Sequence, residues 1–208
     1  MASALSSGQV PGEASSQQRT ELLAAALRLL REQGAAGLRL RSVAAAAGCS
    51  TTGVYTWFGG KNGLVEALFV EGFERFGSAL LTGQHEQSPV AEVRALAHRY
   101  RAWALDSPTH YQIMFGGLVP DFRPSEAASV FSLTTFDILV DAVRVAIDAG
   151  EFADDDPAAV AFHLWAGIHG YVELELAQRC GIVPIGPDRL FDRGLELFLS
   201  GVRAGGPR

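Results

Sequence analysis

Nowhere in these 208 residues does apolar–polar alternation run long enough to build a strand, whereas apolar residues recur at helical spacing along most of the chain. That regularity restricts the fold to helices buried against helices, an all-α protein. Helical segments are predicted from Gln17 to Gln33, Leu40 to Ala47, Ser50 to Trp57, Lys61 to about Thr82, Pro89 to Leu105 and Thr109 to Phe115. Others are predicted from Ser125 to Ala149, Pro157 to about Arg179 and Pro187 to Arg203. Their ends are punctuated. Ser88-Pro89, Asp156-Pro157 and Gly186-Pro187 put proline at a first helical position, while Gly34, Gly48 and the Gly59-Gly60 pair stop helices. Residues 1–16, rich in Ser, Gly and Ala, read as a flexible tail. Residues 17–60 then form one module, and 61–208 a larger helical body.

Lys61 is the only lysine, every other cation being arginine, and it opens a helix. A cation in a first helical turn opposes the helix dipole. It is favoured there only if an anion shares the site, because free N–H groups, dipole and ammonium then converge on one phosphate. The charge distribution agrees. Between Arg19 and Lys61 six basic residues face two acidic ones, a local +4, so the remainder carries −10 within a net −6. Such a split fits a DNA-facing module on an acidic body.

Other classes find little support. Cys49 and Cys180 are isolated, so neither a disulfide framework nor a zinc site follows. The N-terminal segment has no apolar core of a signal peptide, and the most apolar run, Ala158 to Leu176, is broken by His163, His169, Glu173 and Glu175. No membrane span is expected, and a cytoplasmic location is. His85, His98, His110, His163 and His169 lack metal-ligand spacing, and neither a Gly-x-Ser-x-Gly elbow nor a phosphate-binding loop occurs. The run Asp154-Asp155-Asp156 before Pro157 reads as a helix cap rather than a metal site. No enzymatic activity, metal or cofactor is expected.

The two short helices about Gly48 have helix-turn-helix proportions. Val43, Ala44 and Ala47 would pack on Val54 and Phe58, Cys49 would fill an apolar turn position, and Thr51, Thr52, Tyr55 and Thr56 would face outward. That short, uncharged, hydrogen-bonding face suits a major groove. A generic helical hairpin with exposed threonines is the alternative from spacing alone.

The order of this three-helix unit, the turn Ala47-Gly48-Cys49-Ser50, the run Val54-Tyr55-Thr56-Trp57-Phe58 and Lys61 opening a fourth helix together resemble the DNA-binding domain of the TetR family, over Arg19 to about Phe73. The resemblance implies that Ser50, Thr51, Thr52 and Gly53 begin the recognition helix and meet bases or backbone. It further implies that Tyr55, Thr56 and Trp57 hold flanking phosphates, that Lys61 clamps another, and that Arg41 contacts DNA from the preceding helix. Two departures stand out. Trp57 stands where histidine is common, and Gly59-Gly60 where Pro-Ser is usual.

The body resembles TetR-like C-terminal domains that carry a Trp-His-Gly signature, matched by Trp165, His169 and Gly170. This implies homodimerisation through the last two helices, about 158–179 and 187–202. Ala159, His163, Ala166, Gly167 and Gly170 would offer small surface for close approach. His169 reads either as a structural histidine bonded to Glu173 or a carbonyl, or as a ligand contact. Trp103, Tyr111, Met114, Phe115, Phe131 and Phe136 form aromatic and thioether stripes that read as core. By the resemblance the same region encloses an effector pocket, with His110, Tyr111, Gln112 and Thr135 as its polar groups and Trp165 and His169 beside it. The expected function is a repressor that binds a palindromic operator in double-stranded DNA as a homodimer and is released by a small, largely apolar effector. The alternatives are a DNA-binding regulator without an effector and an all-α enzyme.

Overall fold

The computed structural model describes residues 11–83, 86 and 88–205, without the side chains of 11–15. Residues 1–10 of the expected tail, and His85, lie outside the described residues. Among those described are nine α-helices, two short 3-10 turns and no strand. Two compact units emerge: Met1–Phe69 with Gln112–Ser125, and Val70–Tyr111 with Glu126–Arg208. The division falls inside a helix, after Phe69.

In the first unit α1 (Pro11–Gln33) starts earlier than the expected onset at Gln17. Pro11 is at ease in a first turn, and the Ser-rich stretch behind it carries no apolar period that would reveal a helix from sequence. Leu22, Leu23, Ala26 and Leu30 bury one face of α1, which packs on α2 (Leu40–Ala46), where Val43 and Ala44 are buried, and α2 packs in turn on α3 (Thr51–Phe58), where Val54 is buried. Between α2 and α3 the chain reverses in four residues. Gly48 takes φ +65°, and the Cys49 N–H donates to the Ala44 carbonyl at 2.9 Å. Ser50 then caps α3, its Oγ accepting from the Gly53 N–H at 3.4 Å.

A second reversal joins α3 to α4 (Lys61–Leu81). Gly59 closes α3 in the left-handed region at φ +67°, and Gly60 follows at +136°. Two successive positive-φ residues explain why the pair is glycine: Pro, fixed near −65°, cannot take either conformation. Gly63, in the first turn of α4, passes so close to α3 that a Cβ there would lie 1.9 Å from the Phe58 carbonyl oxygen. Leu64, Val65, Leu68 and Phe69 carry the α4 face inward, and Phe69 meets Phe122 of the 112–125 segment with ring centroids 5.8 Å apart.

In the second unit α5 (Pro89–Asp106) is central, packing on α7 (Glu126–Asp148), α8 (Pro157–Leu176) and α9 (Pro187–Val202). The short α6 (Pro108–Met114) begins in this unit, and its last residues belong to the first. Arg101 of α5 is bidentate to Glu175 of α8, at 2.7 and 2.6 Å, and also reaches Asp188 of α9 at 2.7 Å. Asp156 caps α8 by accepting from the Ala158 N–H at 3.0 Å. Glu151, after α7, accepts from Ser88 Oγ at 2.8 Å and the Val90 N–H at 3.1 Å, and so supplies the cap at the start of α5. Its own carbonyl accepts from the Ala204 N–H at 3.2 Å, beside a bridge between Phe152 and Arg203.

Helix propensity alone favours alanine over glycine by about 1 kcal/mol. At position 63 the backbone collision outweighs that gain. Gly63→Ala is expected to lower stability by about 1–3 kcal/mol, the usual range for overpacking, read as a drop in the denaturant midpoint at unchanged m-value.

Candidate nucleic-acid interface

Burying Val54 turns the opposite face of α3 outward. Thr52, Tyr55 and Thr56 are exposed there, Tyr55 by 58%, and none carries a charge. Ser50 is exposed at the helix start, with Thr51 and Gly53 half-buried behind it. The Tyr55 ring lies against Gly60, whose Cβ position is 3.7 Å from its Cε1. Lys61 stands exposed immediately after, in the first turn of α4, and Arg41 is exposed on α2. The expected base-facing row and the expected cation are thus both open to an approaching duplex.

Two expected phosphate donors are otherwise engaged. The Thr56 hydroxyl donates back to the Thr52 carbonyl at 3.0 Å, which leaves its lone pairs rather than its proton outward. The Trp57 indole N–H, its single donor, goes to Gln18 Oε1 of α1 at 3.3 Å. Sequence reading missed Gln18 because its partner lies 39 residues away, on a helix whose rotation relative to α1 no local pattern gives. Some of the basic charge is structural as well. The Arg19 guanidinium sits over the Phe58 ring at 5.6 Å, and Arg28 donates to the Ala46 carbonyl at 3.4 Å, at the negative end of α2.

In the second unit Phe76 packs on Tyr100 and Trp103 at 5.1 and 4.9 Å between centroids, and Trp165 packs on Phe136, Phe162 and His169. The polar groups of this region bond one another. Tyr111 Oη lies 2.6 Å from His169 Nδ1 and 3.1 Å from Tyr100 Oη, which is itself 3.1 Å from the same Nδ1. The Nδ1 of His169 faces two tyrosine hydroxyls, because the α8 stripe of Trp165 and His169 turns toward α5 and α6. Burial pushes the Tyr100 hydroxyl up to about 12 and raises Tyr111 further, with Tyr100 beside it adding to the effect. Burial also lowers His169, partly offset by the charge of Glu173. A neutral imidazole accepting at Nδ1 from a tyrosine O–H fits these directions.

His110 is nearly fully buried, and its Nε2 has no hydrogen-bond partner among the described residues. Burial, helped by the positive charge of Arg75, pulls it down to about 4. Thr135 is buried and Phe131 half-buried on α7. Gln112, Met114 and Phe115 belong to the first unit, so the expected effector residues are divided between the two.

Between α8 and α9 an apolar groove of about 220 Å³ is lined by Leu164, Ile168, Tyr171, Phe191, Leu195 and Phe198, with Gly167 and Gly194 on its rim. Ala159, His163, Ala166, Gly167 and Gly170 lie along α8, and both glycines have open space above them. Among the described residues no three His, Cys, Asp or Glu side chains gather as a metal site, and no helix is long and apolar enough to cross a membrane.

Comparison with known proteins gives this geometry a context. Residues 22–68 match the family model described as bacterial regulatory proteins, tetR family, and residues 93–198 match a tetracyclin repressor-like C-terminal domain. The HTH-type transcriptional regulator Rv1816 of Mycobacterium tuberculosis is 23% identical, covering 83% of this chain and 87% of that protein. A solved protein of unknown function from Rhodococcus sp. RHA1 superposes with TM-score 0.79 at 26% identity, over 89% of this chain and 95% of its own. The fold is also that of the TetR family transcriptional regulator PfmR from Thermus thermophilus, at TM-score 0.66 and 15% identity, over 86% of this chain and 96% of the other.

A histidine held at about 4 in the folded chain and near its ordinary 6.5 when unfolded binds protons preferentially in the unfolded state. Its contribution to stability is complete above pH 6.5 and declines as pH falls toward 4. Denaturant midpoints should therefore fall between about pH 7 and pH 5, and His110→Phe should flatten that dependence.

Proposed function

Because the chain belongs to the tetR family of DNA-binding transcriptional regulators and is not an enzyme, we propose that it acts in the cytoplasm as a homodimeric repressor of a palindromic operator, released by a small, largely apolar effector. The observation that carries the reading is the open, uncharged row of Thr52, Tyr55 and Thr56 beside an exposed Lys61. Ser50, Thr51, Thr52 and Gly53 read bases or adjacent backbone at the start of α3. Arg41, Tyr55 and Lys61 hold phosphates, and Trp57 contributes through its neighbours rather than directly. Dimerisation is supported by the α8–α9 groove and its rim of small residues, which let a second copy's helices approach closely. In such a dimer two recognition helices about 34–36 Å apart meet half-sites one helical turn apart.

An effector that bound the helical body better in one state than the other would shift the dimer away from its DNA-competent form. The unpartnered Nε2 of buried His110 favours a ligand that brings a hydrogen-bonding group to it. A regulator without an effector is the second reading, favoured by the self-contained bonding of Tyr100, Tyr111 and His169, which leaves those groups little reason to recruit a ligand.

The direct test is competition between the DNA upstream of the chain's own gene and random duplex at physiological salt. Equal affinity for both would sink the repressor reading. Lys61→Ala should weaken binding to every duplex and reduce the salt slope by about one, whereas Thr52→Ala should change the preferred half-site. Gly194→Arg, which fills the α8–α9 groove, should give a monomer by sedimentation that loses operator affinity.

A further inference from the structure

The tie between Trp57 and Gln18 redistributes hydrogen-bonding capacity at the edge of the recognition helix. An indole N–H can only donate, so the carboxamide atom facing it must be the oxygen, and this sets the amide's orientation. Gln18 Oε1 receives that bond at 3.3 Å. The same carboxamide is seated one turn earlier on α3: its Oε1 and Cδ lie 3.9 and 4.0 Å from the Cβ position of Gly53. The next residue, Arg19, lies over the Phe58 ring at 5.6 Å, so two consecutive residues of α1 rest on α3. With its oxygen turned to Trp57, Gln18 keeps both amide N–H donors, and they have no partner among the described residues. The side chain is half-exposed.

We propose that Gln18 is a DNA-backbone contact, its amide N–H groups aimed at a phosphate by the Trp57 indole. The indole does not reach the phosphate itself. It acts as a positioning residue that holds a longer, two-donor group in place. Amide donors are a common means of fixing register on the backbone without reading sequence. The proposal rests on α3 being the DNA-reading helix, and Lys61→Ala serves as the control for that premise.

The test measures affinity and salt slope on a short labelled duplex of random sequence and on the upstream DNA of the chain's own gene. Gln18→Met keeps the length and removes both donors. It should weaken binding to both duplexes alike, by about tenfold, with an unchanged salt slope, since the lost contact is neutral, and with the unfolding midpoint lowered only by the loss of the Trp57 bond. Gln18→Arg cannot accept from the Trp57 indole, but it carries donors and a cation from the same position of α1, so it should recover binding and steepen the slope by about one. A position turned away from the phosphates would not produce that steepening. Wild-type affinity in Gln18→Met, or an unchanged slope in Gln18→Arg, overturns the inference if Lys61→Ala still weakens binding. If Lys61→Ala has no effect either, the assignment of the whole face falls with it. Should Gln18→Met unfold, the slope of Gln18→Arg decides alone.

Discussion

The approach of the Gly63 backbone to the Phe58 carbonyl governs the arrangement of the DNA-facing module. A side chain at position 63 would collide there, so the end of α3 and the first turn of α4 lie close together, and the outward row of α3 and Lys61 flank the same turn. A cation at a helix start is unfavourable in isolation. Here it stands exposed beside the outward row of α3, on the far side of the same tight turn. The two left-handed glycines at 59 and 60 follow from the same constraint, since the chain must turn between the helices without adding length.

The helical body solves a different problem. Polar groups are placed inside an apolar shell and remain neutral: two tyrosines held protonated by burial, and a histidine held unprotonated, share their hydrogen bonds. Desolvation is tolerable when each group satisfies another, and such a cluster selects one relative rotation of α5, α6 and α8 more sharply than aliphatic packing does. Arg101 performs a similar office nearer the surface by joining α5 to both α8 and α9.

Helix positions were legible because each start or stop carries its own chemistry: proline after Ser88, Asp156 and Gly186, glycine after Ala47 and Phe58. The outward face of α3 was legible too, since burying Val54 dictates which side chains point away. Partnerships between distant helices were not. Nothing in the α8 sequence says that His169 faces Tyr111 and Tyr100; that depends on the rotation of α8 against α5 and α6. For the same reason the phosphate role assigned to Trp57 by resemblance meets an indole already bonded to Gln18. The early start of α1 escaped notice because polar residues at a helix N-terminus leave no periodic trace.

Glu151 closes the second unit in an unusual way. Its carboxylate caps the beginning of α5 while its carbonyl receives the chain just beyond α9, so the middle of the sequence and its far end share one residue. Loosening of the chain at Arg203 and Ala204 is thereby coupled to the helix on which the second unit packs. The stretch just beyond α9, as far as Ala204, is an integral strut of this domain, so a substitution that loosens it will be felt at the start of α5.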